Sequence, residues 1–256
     1  MPVPILTLVT ITKVDETGLS ATLASTRFVR RLDRVQHIVL DGAGIEQKAA
    51  EAAGCLWVEQ RGRGIAGAFN EGLAAAAGDW VWFLNGGDAI HEDLQAEWLL
   101  QHLSRTRADV VIGMIQFEGE AAPRRLPHVS YQWPLIACWL PHPATIVRRE
   151  LLSKAGGFDE RCRVAMDYDL WFRLLKRPIA LDVLSIPFTR FDRNGVSERP
   201  ASRSLATAET ANVILRHSGH FVGEGLWVGA RIMRRLAWAL GAWMKYKFVR
   251  RASDGK

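Results

Sequence analysis

The sequence predicts an α/β fold, a mostly parallel sheet flanked by helices, and three observations carry that prediction. Short apolar or β-branched runs alternate with segments of helical period through the first hundred or so residues, the pace of βαβ units. Trp80 to Leu84 is a run of five hydrophobic residues, too short for an independent helix and suited to a strand buried on both faces. That run stops at Asn85-Gly86-Gly87-Asp88, a sharp turn placed just past the carboxyl end of a strand, where open α/β sheets bind ligands.

Taken in order, Ile5 to Thr12 is a β-branched strand, and Asp15 to Arg31 is a helix with Leu19, Leu23 and Phe28 on its apolar side. Gln36 to Leu40 is a second strand ending at Asp41-Gly42-Ala43-Gly44, followed by a helix over Ile45 to Ala53 and a third strand over Cys55 to Glu59. Ile65 to Ala77 has helical period, with Ile65, Ala68, Phe69, Gly72, Leu73 and Ala76 on one face. Beyond Asp88, Glu92 to Arg105 reads as a helix and Asp109 to Phe117 as a strand. Ala121 to Pro134, with several prolines, reads as a mobile loop. Leu140 to Val147 leads into a further strand, and Arg148 to Ala155 is a short helix stopped by Gly156-Gly157. Gly157 to Glu160 is a turn, and Asp167 to Leu175 is a helix with Leu170, Leu174 and Leu175 inward.

At 256 residues, 48% hydrophobic and 23% charged, the chain has the length and composition of one large globular domain, expected over residues 1–220, with a tail over residues 221–256. Cys55, Cys138 and Cys162 are far apart and make no metal-ligand spacing, which points to free thiols in a reduced cytoplasmic setting. Met1 to Ile5 reads as the approach to a first strand rather than a signal peptide. No apolar run approaches the roughly 20 residues that cross a bilayer. The formal charge of +6 is concentrated near the C-terminus.

Four acidic residues carry candidate chemistry. Asp88 can hold a divalent metal, and the metal a phosphate; the same four residues would also serve as an Asx turn closing the strand. Asp41-Gly42-Ala43-Gly44 invites a dinucleotide reading, but the third glycine of that fingerprint is replaced by Gln47, which disfavours an oxidoreductase or methyltransferase. A carboxylate facing a nucleoside, or a plain turn, remains open at Asp41. Asp167 and Asp169 suit the positive end of a helix dipole and would serve as caps if they had no other task.

With these pieces in order, the chain resembles the family 2 nucleotide-sugar glycosyltransferases of the GT-A fold, in particular the small bacterial enzymes of exopolysaccharide and O-antigen synthesis. The resemblance covers roughly Pro4 to Ser197 and rests on four blocks: Leu6 to Thr12, Ile38 to Gly42, Gly64 to Asp88, and His142 to Leu175. It implies transfer of a sugar from a nucleotide-diphosphate sugar to a hydroxyl of a polysaccharide or lipid-linked oligosaccharide, with inversion. It implies a nucleotide-sugar site that includes Thr10, Thr12, Asp41, Arg63, Asn70, Asn85, Gly86, Gly87, His142 and Arg193. It implies Mg2+ or Mn2+ held by Asp88, and Asp167 as general base, with Asp169 in capping and support. Departures are visible: Asn85 and Gly87 stand where the family's DxD motif has carboxylates, and Met166 replaces the glutamate before the base. The depleted metal motif leaves a second reading, a catalytically weak scaffold or interaction protein of the same pathway.

From Leu226 to Arg251 no acidic residue interrupts Arg231, Arg234, Arg235, Lys245, Lys247, Arg250 and Arg251, and Trp227, Trp238 and Trp243 are interleaved. A basic, Trp-rich amphipathic helix suits an anionic membrane surface, here the inner face of the cell membrane where a lipid-linked acceptor is found. The alternative is a helix packed on the domain or on a second subunit of a homo-oligomer. No nucleic-acid motif accompanies the charge, so nucleic acid is not an expected partner.

Overall fold

The computed structural model describes residues 3–124, 140–176, 178–191 and 200–217. The expected loop after residue 124, Cys138, Arg193, the 220/221 domain boundary and the basic tail lie outside the described residues. Eight strands form one sheet in the order β3-β2-β1-β4-β7-β6-β8-β5. In chain order these are β1 (Leu6–Thr12), β2 (Val35–Asp41), β3 (Leu56–Glu59), β4 (Trp80–Asn85), β5 (Ala89–Ile90), β6 (Val110–Phe117), β7 (Thr145–Arg148) and β8 (Leu181–Phe191). The helices are α1 (Glu16–Arg30), α2 (Gln47–Ala52), α3 (Gly64–Ala75), α4 (Ala96–Arg105), α5 (Arg149–Lys154), α6 (Met166–Leu175) and α7 (Pro200–His217), with a 3-10 turn over His142–Ala144.

The half of the sheet formed by β3, β2, β1 and β4 is parallel, each strand returned by a helix. The other half is mixed: β7 runs antiparallel to both β4 and β6, β8 is parallel to β6, and β5 is antiparallel to β8. Alternation along the strands sends Val9, Ile38, Leu40 and Phe83 into a core shared with α3 and α6. Leu6, Leu8, Trp80 and Trp82 go to the opposite core, under α4. Both faces are covered, which is why β4 reads as a continuous apolar run. Gly72 on α3 lets the helix lie directly on β1, since a Cβ there would stand 2.3 Å from a Val9 methyl carbon.

Several expectations are corrected. Phe28 is 37% exposed, and Val29 takes the inward place with Leu19, Thr22, Leu23 and Thr26 at i, i+3, i+4 spacing. The helix expected from Glu92 starts only at Ala96, because Ala89–Ile90 pairs with β8 first and His91 to Gln95 turns back towards the helix. The long β8 and helix α7 were not anticipated. β8 buries few of its side chains and contains Pro187, so its sequence gives no clean period of two.

Candidate active site

The site is built along the carboxyl ends of β1, β2 and β4. Register sets Thr12 opposite Asp41 and Ile11 opposite Asn85, so three strands end in one row. Connectivity reverses here: β2 and β3 extend the sheet on one side of β1, and β4 adds on the other. Outside such a switch point an open α/β sheet leaves a crevice for a ligand.

The turn after β4 is held from below by α1. Asp15 caps that helix by accepting from the Gly18 N–H at 2.9 Å. One turn on, the Thr22 hydroxyl donates to the Asp88 carbonyl at 2.7 Å and accepts from the Gly87 N–H at 3.0 Å. Gly86 N–H donates to the Ile11 carbonyl at 2.8 Å, and Gly87 adopts φ 101°, which glycine takes without a Cβ penalty. Thr22, absent from the sequence-derived set, is thus the peg on which Asn85 to Asp88 is shaped.

Asp88 is 2% exposed, and one of its carboxylate oxygens accepts from the Asn85 backbone N–H at 2.8 Å and from the Asn85 amide at 3.2 Å. This pairing runs back three residues to the strand end, not two residues forward as in the Asx turn that the sequence allowed. It does not exhaust a carboxylate, which offers about four lone-pair sites. Among the described residues, no group of three or more His, Cys, Asp or Glu side chains is placed to hold a metal ion. A single carboxylate fits Mg2+ or Mn2+ as a shared site, because such ions are bound by one or two carboxylates completed by substrate phosphates and water.

Thr10 and Thr12 separate in role. Thr10 is fully buried, its hydroxyl 2.9 Å from Nε2 of His37, whose burial lowers its pKa to about 3. Thr12, on the last residue of β1, has a buried hydroxyl with no hydrogen-bond partner. Asp41 is also fully buried. It accepts from Ala43 N–H at 2.9 Å, Glu46 N–H at 2.7 Å and the Trp57 indole at 3.3 Å. Burial pushes its pKa up, but those N–H groups outweigh it and hold the carboxyl below its ordinary value. In this state Asp41 shapes the β2–α2 loop from within.

Arg63 is exposed at the start of α3, in a loop closed by Glu71, which accepts from the N–H groups of Arg61 and Gly62. Asn70 faces the other way. Its Oδ1 accepts from Phe158 N–H at 2.8 Å and its amide donates to the Phe158 carbonyl at 3.0 Å and to Glu160 at 3.1 Å. Phe158 packs on Phe69 and Phe83, with ring centroids 5.2 and 5.1 Å apart, and His142 sits 4.9 Å from Phe69. Nε2 of His142 is buried without a partner, and burial drops its pKa to about 4, so the imidazole is neutral. This aromatic cluster docks the Gly157 to Glu160 turn, and the acidic helix beyond it, against β4.

On that helix Asp167 and Asp169 have different surroundings. Asp167 is recessed, its Oδ1 accepts from the Tyr168 N–H at 2.6 Å, and burial raises its pKa to about 6. Asp169 does not cap the helix as expected: it is 1% exposed, 2.8 Å from Arg173 Nε and 3.0 Å from His217 Nε2. Arg173 in turn donates to the carbonyls of Ala155 and Gly157. The approach to the helix, residues 163 to 165, is held by Glu209 on α7, and nothing local in the sequence marks a partner more than 40 residues away.

A parallel half-sheet with an acidic turn at its switch point, continued by a mixed half that carries a second acidic helix, is the GT-A arrangement. The chain belongs to glycosyl transferase family 2, whose pattern matches residues 19–180. It is 27% identical over 209 residues to the uncharacterized glycosyltransferase Rv1514c of Mycobacterium tuberculosis, covering 75% of this chain and 77% of that one. It is also 27% identical over 150 residues to the O-antigen biosynthesis protein RfbC of Myxococcus xanthus, covering 57% of this chain and 12% of RfbC. Among solved structures, the mannosyltransferase PcManGT from Pyrobaculum calidifontis, in complex with GDP-Man and Mn2+, superposes with a TM-score of 0.63 at 16% identity, over 100% of this chain and 77% of that one. S. aureus TarS 1-349 in complex with UDP-GlcNAc gives 0.64 at 17%, over 82% and 66%. The chain spans 43% of the longer TarS chain.

Proposed function

We propose that this protein transfers a sugar from a nucleotide-diphosphate sugar to a hydroxyl of a glycan or lipid-linked glycan, with inversion at the anomeric carbon. The observation that carries the reading is the buried Asp88 carboxylate, aimed by Asn85 and Thr22 beside the unpartnered Thr12 hydroxyl at the switch point. Structural neighbours with UDP-GlcNAc and GDP-Man bound support a donor of that class.

Thr12 and the glycine turn receive the nucleotide end of the donor. Asn85, Gly86 and Gly87 form the floor under the diphosphate, and Arg63 and Arg193 supply positive charge to it. Asp41 acts by fixing its loop, and Asn70 by fixing the turn at Phe158. Neutral His142 offers Nε2 as a hydrogen-bonding group against the aromatic wall. Asp88 would hold Mg2+ or Mn2+, which neutralises charge developing on the departing diphosphate. Asp167, ionised above pH 6 and more basic than an ordinary carboxylate, accepts the proton of the acceptor hydroxyl. That oxygen bonds to the anomeric carbon as the carbon–diphosphate bond breaks, and one direct displacement inverts the centre.

The reading is tested by a thermal-shift screen of sugar nucleotides with and without Mn2+, since a ligand of the native state raises the melting temperature by mass action. One donor class should stabilise the protein in a metal-dependent way, and Asp88→Asn should remove that stabilisation while the fold persists. Metal-dependent binding unchanged in Asp88→Asn would refute the metal assignment. No stabilisation by any sugar nucleotide would favour the scaffold reading.

A further inference from the structure

Helix α6 starts badly by its own means. Its N-cap residue is Ala165, which has no side chain to take the free N–H groups of a helix start. Glu209 takes the first of them, that of Ala165, together with the Arg163 and Val164 N–H groups of the approach to the helix. One of its oxygens accepts from Arg163 N–H at 2.8 Å, and the other from Val164 and Ala165 N–H at 2.9 Å each. Charge-assisted bonds of this kind are roughly twice as strong as neutral ones.

Glu209 is one of four grips on the same segment. Glu209, Val213 and Arg216 fall at i, i+4 and i+7, one face of α7. Val213 is buried in the core that holds Met166 and Leu170. Arg216 reaches Asp159 at 2.7 Å and the Cys162 sulfur at 3.5 Å, and His217 reaches Asp169. The helix thus grasps residues 159 to 169 from outside, and it lies beyond the stretch matched by the family pattern.

We propose that Glu209 is a positioning residue for Asp167, clamping the turn on which the base-bearing helix begins. Asp167 is two residues past Ala165. Winding or unwinding the helix start by one residue would swing its carboxylate by about 100°. A displaced base a long way from the attacking hydroxyl loses rate rather than donor affinity. The proposal rests on the reading of Asp167 as the base of a glycosyl transfer.

The test compares wild type with Glu209→Gln, which keeps the size and one acceptor oxygen but loses the charge and the second acceptor. Amide exchange at residues 163–165 should quicken at least roughly fivefold, the loss expected of a helix cap. Single-turnover transfer at saturating donor should fall about tenfold with donor affinity unchanged. In an Asp167→Asn background the same substitution should produce no further loss, because the two act as one unit. Unchanged exchange overturns the clamp. Faster exchange with an unchanged transfer rate, or an equal loss in the Asp167→Asn background, reduces Glu209 to a structural cap and overturns the positioning role. If the wild type transfers no sugar, the proposed function has failed, and the clamp is decided by the carboxyl titration of Asp167 followed by 13C NMR: a lower midpoint in Glu209→Gln supports it and an unmoved one refutes it. Should Glu209→Gln not fold, Glu209→Asp, which keeps the charge but is one methylene short, takes its place with the same readouts.

Discussion

Asp167 destabilises the native state in the ionised form that a general base requires. Its carboxyl titrates near 6 in the folded chain, against about 3.9 in an unfolded one. Between those values the native state holds a proton that the unfolded state has released. Stability therefore falls as pH rises from about 4 to about 6 and stays lower above, by an amount on the order of 3 kcal/mol. Asp167→Asn removes the titration while keeping the size and the bond to Tyr168. Its melting temperature should exceed that of the wild type at pH 7.5 and approach it near pH 4, measured by calorimetry at both values. A variant less stable than wild type at pH 7.5 would mean that the buried charge is compensated by contacts the carboxylate alone makes. The neighbouring carboxylate is the opposite case: Asp169 is buried but fully paired, and its removal leaves Arg173 facing only two carbonyls.

At the scale of elements, Asp169, Arg173 and His217 join α6, the Gly156-Gly157 stop and α7. Asp169→Asn should lower stability by roughly 3 to 5 kcal/mol, as breaking a buried ion pair does, and reduce transfer less than Asp167→Asn does. Urea unfolding with an unchanged slope would read the first effect; a midpoint equal to wild type would show that the pair contributes nothing. The same elements explain what was legible in the sequence. β1, β2, β4 and α3 were readable because both-sided burial and helical period are local signals, as at Trp80 to Leu84 and Ile65 to Ala77. Asp88 and Asp167 are candidates by their place in motifs, and their roles belong to the proposed function. Thr22, Trp57, Glu71 and Glu209 were not readable, since each acts on a partner 9 to 66 residues away, and no local pattern records that partner. Phe28 stands off the Thr22–Thr26–Val29 stripe, because the inward face at the end of α1 is carried partly by threonines that an apolar pattern does not mark.

Over the whole molecule, charge is the feature that the described domain does not absorb. No described helix is long and apolar enough to cross a membrane. The basic, Trp-rich stretch near the C-terminus is proposed to hold the protein on anionic lipid. Truncation after Phe221 should abolish sedimentation with phosphatidylserine or phosphatidylglycerol vesicles; equal sedimentation of both forms would refute the membrane role, and insolubility of the shortened form would point to packing on the domain. The domain itself is best tested at its chemistry. The most direct measurement is the single-turnover transfer rate at saturating donor for wild type, Asp167→Asn and Asp169→Asn. With Asp167 as base, Asp167→Asn retains donor binding and loses at least roughly 100-fold in rate, and Asp169→Asn loses much less. A nearly normal Asp167→Asn beside a dead Asp169→Asn would contradict it.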